Sequence, residues 1–222
     1  EIDENNMCVY KNRLKIKNIF LCVIFFSTLA CTPKNINFPI KLFDEKKQKR
    51  ISLASYKEIL LSPTIDIRNE KRKIGIYRWF NVTHKIITEK EEIKFEIDKI
   101  IESILLKKGF TVKKGNWDQS PYSLQSINSP YVLSAKIKNL NFYGNASFPN
   151  NIVSGVFTLE FKLGITSIES VYRTTFELRP KKKTLLSSEK SEDLSFIQKT
   201  VKSTILNTIE DGLEKILRKI SN

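Results

Sequence analysis

One histidine and three cysteines make up the metal-ligating and soft nucleophilic residues of this 222-residue chain, and their surroundings set them apart. Cys31 follows Ala30 at the end of IFLCVIFFSTLAC (Ile19–Cys31), an apolar run preceded by Lys11, Arg13, Lys15 and Lys17. A basic flank, a short apolar run and a small residue form the order of an export signal. From Ile19 to Ala30 the run falls short of the ~20 residues a permanent membrane helix needs, so cleavage between Ala30 and Cys31 is expected. That cut removes Cys8 and Cys22, and with Cys31 itself modified no thiol would remain for a disulfide or a cysteine metal site. His84 has no carboxylate or cysteine at the spacing of a zinc site or a catalytic triad. Glu91 and Glu92 read as charges complementing the start of a helix. Gly75, Gly155 and Gly164 are isolated and form no phosphate loop, and the glycosylation-type triplets Asn81-Val82-Thr83 and Asn145-Ala146-Ser147 occur readily by chance. No catalytic or metal-binding residue is therefore predicted. The candidate contact residues are Trp117, Tyr122 and Phe148, aromatic side chains in polar loops, together with Lys181, Lys182 and Lys183. For the aromatic three, folding back onto a sheet is the competing use. For the lysines, it is a solvated turn.

Thr28-Leu29-Ala30-Cys31 resembles the lipobox of bacterial lipoproteins, with Thr28 where leucine is usual and Leu29 one place later. Relaxed boxes of this kind are similar to those of spirochaetes and other AT-rich bacteria. The resemblance implies a covalent diacylglycerol and a fatty acid on Cys31, no other cofactor, and attachment to a membrane through lipid. Met7 is the only methionine, and residues 1–6 are read as lying upstream of the translated start. The expected organisation is a signal peptide over residues 1–30, a lipid-anchored tether with an N-terminal extension over 31–70, and a globular domain over 71–222.

Without residues 1–30, which hold four Lys/Arg and three Asp/Glu, the formal net charge falls from +14 to +13. A nucleic-acid partner would suit that balance, but an exported, lipid-held protein does not meet nucleic acid, and none is expected. Each basic residue close to an anionic membrane surface is worth about 1 kcal/mol, which makes anionic lipid headgroups, or acidic envelope polymers, candidate partners. Dispersed lysine on a solvated surface is the simpler account of the same number.

The elements that must position these residues follow from periodicity. Residues 32–50 are broken by Pro33 and Pro39 and carry a charged run from Asp44 to Arg50, as a tether would. Residues 51–68 suit a short helix or extended segment, with an edge strand near Ile65 and Ile67. Lys73–Phe80 reads as a strand and His84 as part of a loop. Thr88–Lys108 has a helical stripe of Ile93, Ile97, Ile100, Ile101 and Ile104, a Thr88/Glu91 capping box and Gly109 at its end. Phe110–Lys113 is a short strand and Gly115–Pro130 a polar loop. Tyr131–Tyr143 changes parity near Asn139, which predicts a bulge. Val153–Ile165 alternates strictly and pairs with Val171–Arg179 as a hairpin, after which residues 180–183 end the sheet. A final helix from Ser191 to about Ile220 covers the sheet's apolar face. The expected fold is α+β: a four- to five-stranded, mainly antiparallel sheet with two helices packed on one face, behind a cleavable lipoprotein signal peptide.

KIGIYRWFN (Lys73–Asn81) ahead of a helix ending LLKKGFTV (Leu105–Val112), then SPYVLSAKIKNLNF (Ser129–Phe142), then a hairpin and a C-terminal helix, together resemble envelope lipoproteins of the YajG, LpoB and ABC-transport auxiliary kinds. The likeness runs from Lys73 to Ile220. Ser129-Pro130 stands where those families often carry Ala-Asp. The LPS-assembly lipoprotein LptE has a similar layout. The resemblance implies a non-enzymatic protein partner in an envelope transport or assembly complex, anchored at the periplasmic face of the outer membrane. A surface-exposed lipoprotein that binds a host or polymeric ligand is the alternative. The oligomeric state is left open.

Overall fold

A computed structural model of the chain describes residues 35–38, 57–80, 82–88, 92–185 and 190–221. The export segment, Ala30, Cys31, the charged run at 44–50 and the Glu91 half of the capping box lie outside those residues. The unit Asn35–Asn222 is compact by itself, and its organising element is one long hairpin. β7 (Tyr131–Ser147) and β8 (Asn150–Ile165) pair antiparallel from end to end, with the register shifting between Ile137 and Asn139, where the parity change places a bulge. Strict alternation then puts Phe157, Leu159, Phe161 and Leu163 on one face, all fully buried.

The free edge of β7 is long enough to take three short strands in succession. β2 (Lys57–Leu61) lies beside Tyr131–Leu133, β3 (Ile65–Asp66) beside Lys136–Ile137, and β4 (Lys73–Trp79) beside Phe142–Ala146, all parallel to β7. Beyond β4 comes β5 (Val82–Ile87), antiparallel, and beyond it β1 (Ile36–Asn37), parallel to β5. β6 (Phe110–Lys114) runs parallel to β2. On the free edge of β8, β9 (Ser170–Leu178) and β10 (Lys181–Leu185) follow one another, both antiparallel to it.

Among the described residues the sheet has ten strands and is mixed, which corrects the expected four- to five-stranded, mainly antiparallel sheet. Alternation needs several residues to register, and β1 and β3 have two each. β5 escapes notice because a polar residue, His84, takes an inward place beside Ile86, so His84 lies in a strand and not in a loop. β10, KKKTL, has no apolar alternation at all. It is held by its backbone ladder to β8, and lysine suits a strand at a sheet edge. The broader α+β composition stands.

Two helices supply the cover. α1 (Glu92–Lys107) buries Ile93, Ile97, Ile100, Ile101 and Leu105, and α2 (Lys190–Ser221) buries Ile197, Val201, Ile205, Ile209, Leu213 and Ile216. Both stripes join the inward residues of β2, β7 and β8 in one hydrophobic cluster. At 1.5 Å per residue α2 is about 48 Å long, enough to follow most of the hairpin. Its last turns set Lys215 over the Phe176 ring and Lys219 over that of Tyr172, so the lysine stems shield the edge of the core. Thr88 closes β5 instead of capping α1: its N–H and hydroxyl both donate to the Arg72 carbonyl. Gly109 ends α1 at φ 85°, a left-handed conformation that glycine adopts without strain. Among the described residues no helix is long and apolar enough to cross a membrane.

Among the described residues, the other face is covered at one end only. Residues 115–130 fold back so that Trp117 and Leu124 pack on Val132, with Leu60, Ile127 and Val171 around them. Trp117 donates from Nε1 to the Ser120 carbonyl at 3.2 Å, which satisfies its single polar atom.

Candidate functional site

The ends of the long hairpin differ sharply, and they divide the contact residues chosen from sequence into two groups. At the turn between β7 and β8, Phe148 projects into solvent with 86% of its surface exposed. Register brings two more apolar side chains to the same end. Trp79 pairs with Ala146, so the turn after β4 presents Phe80 beside the hairpin turn. Leu185 pairs with Asn150, so β10 ends on its other side. Phe80 is 54% exposed and Leu185 76%. The Phe80 turn is fixed: its N–H donates to the Ala146 carbonyl at 3.0 Å, and its φ is 50°. With neighbouring strands about 4.8 Å apart, the three side chains share one edge of the molecule.

Basic side chains accompany them. Tyr77 faces the helices, so Arg78, its neighbour in the strand, points to the open face. Lys182 turns toward α2, where its Nζ lies 3.5 Å from Ser203 Oγ. By alternation, Lys181 and Lys183 share the open face with Leu185. All four cations are exposed. Among the described residues no ion pair involves Arg78, Lys181 or Lys183. The half-buried Ile76 and the exposed Tyr143 lie side by side in the β4–β7 ladder on the same face.

Trp117 and Tyr122 belong to the opposite end. Trp117 is buried in the small second core, whereas Tyr122, on a 3-10 turn (Tyr122–Ser126), is 88% exposed. The 17 residues of β7 separate the two ends, a distance of about 55 Å. Phe148, Lys181 and Lys183 therefore share one surface, from which Lys182, Trp117 and Tyr122 are excluded. The surface also contains Phe80, Leu185 and Arg78, which the sequence reading left out. Phe80 reads as the last residue of a strand, and the β4–β5 turn makes it face outward.

A second basic patch, lined by Asn35, Glu70, Lys71, Arg72, Lys73 and Lys85, sits at the start of β4. Its charge is partly engaged: Lys73 pairs with Glu70 at 2.7 Å, and Arg72 donates to the Thr88 carbonyl. The buried ionisable groups are occupied as well. The Tyr77 hydroxyl lies 3.4 Å from Asp193 Oδ2, and burial, reinforced by that carboxylate, pushes its ionisation far above the ordinary tyrosine value. His84 stands opposite Tyr77 in the β4–β5 ladder and is 7% exposed. Among the described residues no group of three or more His, Cys, Asp or Glu could hold a metal ion.

No family model matches the sequence, and no curated protein matches it. Solved structures similar to the chain include a Xanthomonas campestris protein of family DUF330, at 9% identity and TM-score 0.47, covering 86% of this chain and 97% of that one. A putative neuraminyllactose-binding hemagglutinin homolog from Helicobacter pylori is 12% identical at TM-score 0.44, with 79% and 97% covered. Lipoprotein GNA1162 from Neisseria meningitidis is 10% identical at TM-score 0.35, with 70% and 99% covered. At these scores none of the three says what the chain does.

Proposed function

We propose that this chain is a non-catalytic lipoprotein, acylated on Cys31, held at the periplasmic face of the outer membrane, and acting as an accessory or docking subunit of an envelope transport or assembly complex. The observation that carries this reading is the basic segment, apolar run and Leu29-Ala30-Cys31 sequence, followed four residues later by the start of a folded unit at Asn35. A diacylglycerol and a fatty acid on Cys31 would be its only cofactors. The likeness of Lys73–Ile220 to the YajG, LpoB and ABC-transport auxiliary group favours the accessory role. Burial and engagement of Tyr77, His84 and Asp193 suit a protein whose work is contact rather than bond chemistry.

The test is expression of the full chain and of Cys31→Ser in a bacterium. The parent should partition into detergent with the mobility of a processed, acylated chain, and the variant should lose both properties. Unchanged partition and mobility in the variant would refute acylation at Cys31. Crosslinking in native membranes should then capture an envelope protein. Protease shaving of intact cells should leave the chain uncut, and cleavage would instead favour a surface lipoprotein with a host or polymeric ligand.

A further inference from the structure

We infer that the end of the sheet carrying Phe80, Phe148 and Leu185, with Arg78, Lys181 and Lys183 beside them, is the membrane-facing end of the molecule and seats on anionic phospholipid headgroups. The inference rests on the anchored reading above and adds to it an orientation and a contact surface.

Two features of the fold bear on this end, chain direction allowing it and surface chemistry selecting it. The first is chain direction. β4 runs toward this end and β5 runs away from it, as their antiparallel register requires. β1 is parallel to β5, with Ile36 opposite Ile86, so β1 starts nearer the exposed phenylalanines than it finishes, and Asn35 itself lines the basic patch at the start of β4. Cys31 lies four residues before Asn35, a span of at most about 14 Å. From Lys85 back to the β4–β5 turn at Val82 is about 10 Å along the strand. Four fully extended residues exceed that distance, so the spacing from Cys31 to Asn35 allows this end to be the seated one and does not by itself select it.

The second feature is the chemistry of the surface. Three large apolar side chains exposed by 54% to 86% at one edge are costly in water, and a membrane interface relieves that cost without a shaped partner pocket. Unpaired lysine and arginine beside them match the negative potential of an anionic leaflet. The acidic residues of the first turn of α2, Glu192 and Asp193, belong to the helix-covered face, and Asp193 is buried over Tyr77. The rival basic patch at Lys71–Lys73 has part of its charge paired, and among the residues lining it the one large apolar side chain, Ile87, is half-buried. A protein partner would need complementary shape, whereas a bilayer needs only an apolar edge rimmed by cations, which is what this end offers.

The test uses the full chain, processed in a bacterium, extracted and reconstituted into phosphatidylglycerol-containing vesicles with brominated or unbrominated acyl chains. Phe148→Trp and Tyr122→Trp place a reporter at either end, read as difference spectra against the parent with its own Trp79 and Trp117. The expected result is flotation of all three proteins with the vesicles. Phe148→Trp emission should shift to the blue and be lost to bromine, while Tyr122→Trp emission stays unshifted and unquenched. Flotation with unquenched Phe148→Trp overturns the orientation and leaves the anchor standing. Quenching of Tyr122→Trp overturns it in favour of the far end. A blue shift of Phe148→Trp that needs other envelope proteins, and is absent in lipid alone, overturns it in favour of a protein partner. Failure to float overturns both the anchor and the orientation.

Discussion

Asp98 accepts the backbone N–H of Thr64 at 2.9 Å and its hydroxyl at 2.5 Å, both on Oδ1, and so ties α1 to the segment between β2 and β3. Burial pushes its carboxyl above the ordinary carboxylate value. The Thr64 hydrogen bonds and Lys114 oppose the rise, and Glu102 adds to it. A carboxyl raised in the folded state stabilises the fold most when protonated. Its contribution is complete below the unfolded value, about pH 4, and is lost as pH rises through the folded value. Asp98→Asn keeps the Oδ1 acceptor and removes the charge. The melting temperature of the variant minus that of the parent should therefore grow from about pH 4 to neutrality, and a constant difference would contradict this account. Glu160 behaves in the opposite way. Its side chain is 2% exposed, and burial pushes its carboxyl up, but Lys138 and Arg173, each 2.5 Å away, outweigh burial and hold it below the ordinary glutamate value. Alternation placed Glu160 on the open face correctly. It could not show that longer neighbouring side chains would cover it, because that depends on which strands stand on either side of β8.

Residues 115–130 show how an element can be assigned correctly while its role is missed. They are an irregular polar segment, as their composition indicates, yet Trp117 and Leu124 turn the segment into the cover of the second core. Two apolar residues seven apart have no period to detect. The space they fill is made by Gly164: a Cβ there would lie 2.5 Å from Leu124 Cδ2 and 2.7 Å from Val132 Cγ1. Gly164→Ala should lift the cover, shift Trp117 emission to the red and cost about 1–3 kcal/mol by urea unfolding. Unchanged emission with full stability would mean that the cover tolerates the methyl group. β10 presents the same lesson on the other side of β8. Three consecutive lysines read as the end of a sheet, and the free backbone edge of Asn150–Ser154 makes them a strand.

Over the molecule as a whole, the first described residues already pack into the core. Phe38, next to β1, is 4% exposed within the main hydrophobic cluster, and its N–H donates to the Ile87 carbonyl at 2.8 Å. Phe38→Ala should cost about 3 kcal/mol with an unchanged denaturant slope, as for any large core side chain. A cost below about 0.5 kcal/mol, the scale of a surface substitution, would detach that segment from the fold. Periodicity carried in the sequence determined most of β7 with its bulge, the hairpin of β8 with β9, the two amphipathic helices, the wet and dry faces of β8, and the export-signal pattern ending at Cys31. Each of these is written in neighbouring residues, because burial of one face forces a local repeat. Tertiary structure alone decided which short strands line the two long ones, that five of the ladders are parallel, and that Phe80, Phe148, Leu185 and the lysines of β10 meet at one end. Those pairings depend on backbone edges left open by distant segments. An open edge accepts any chain that reaches it and leaves no mark in the residues that do.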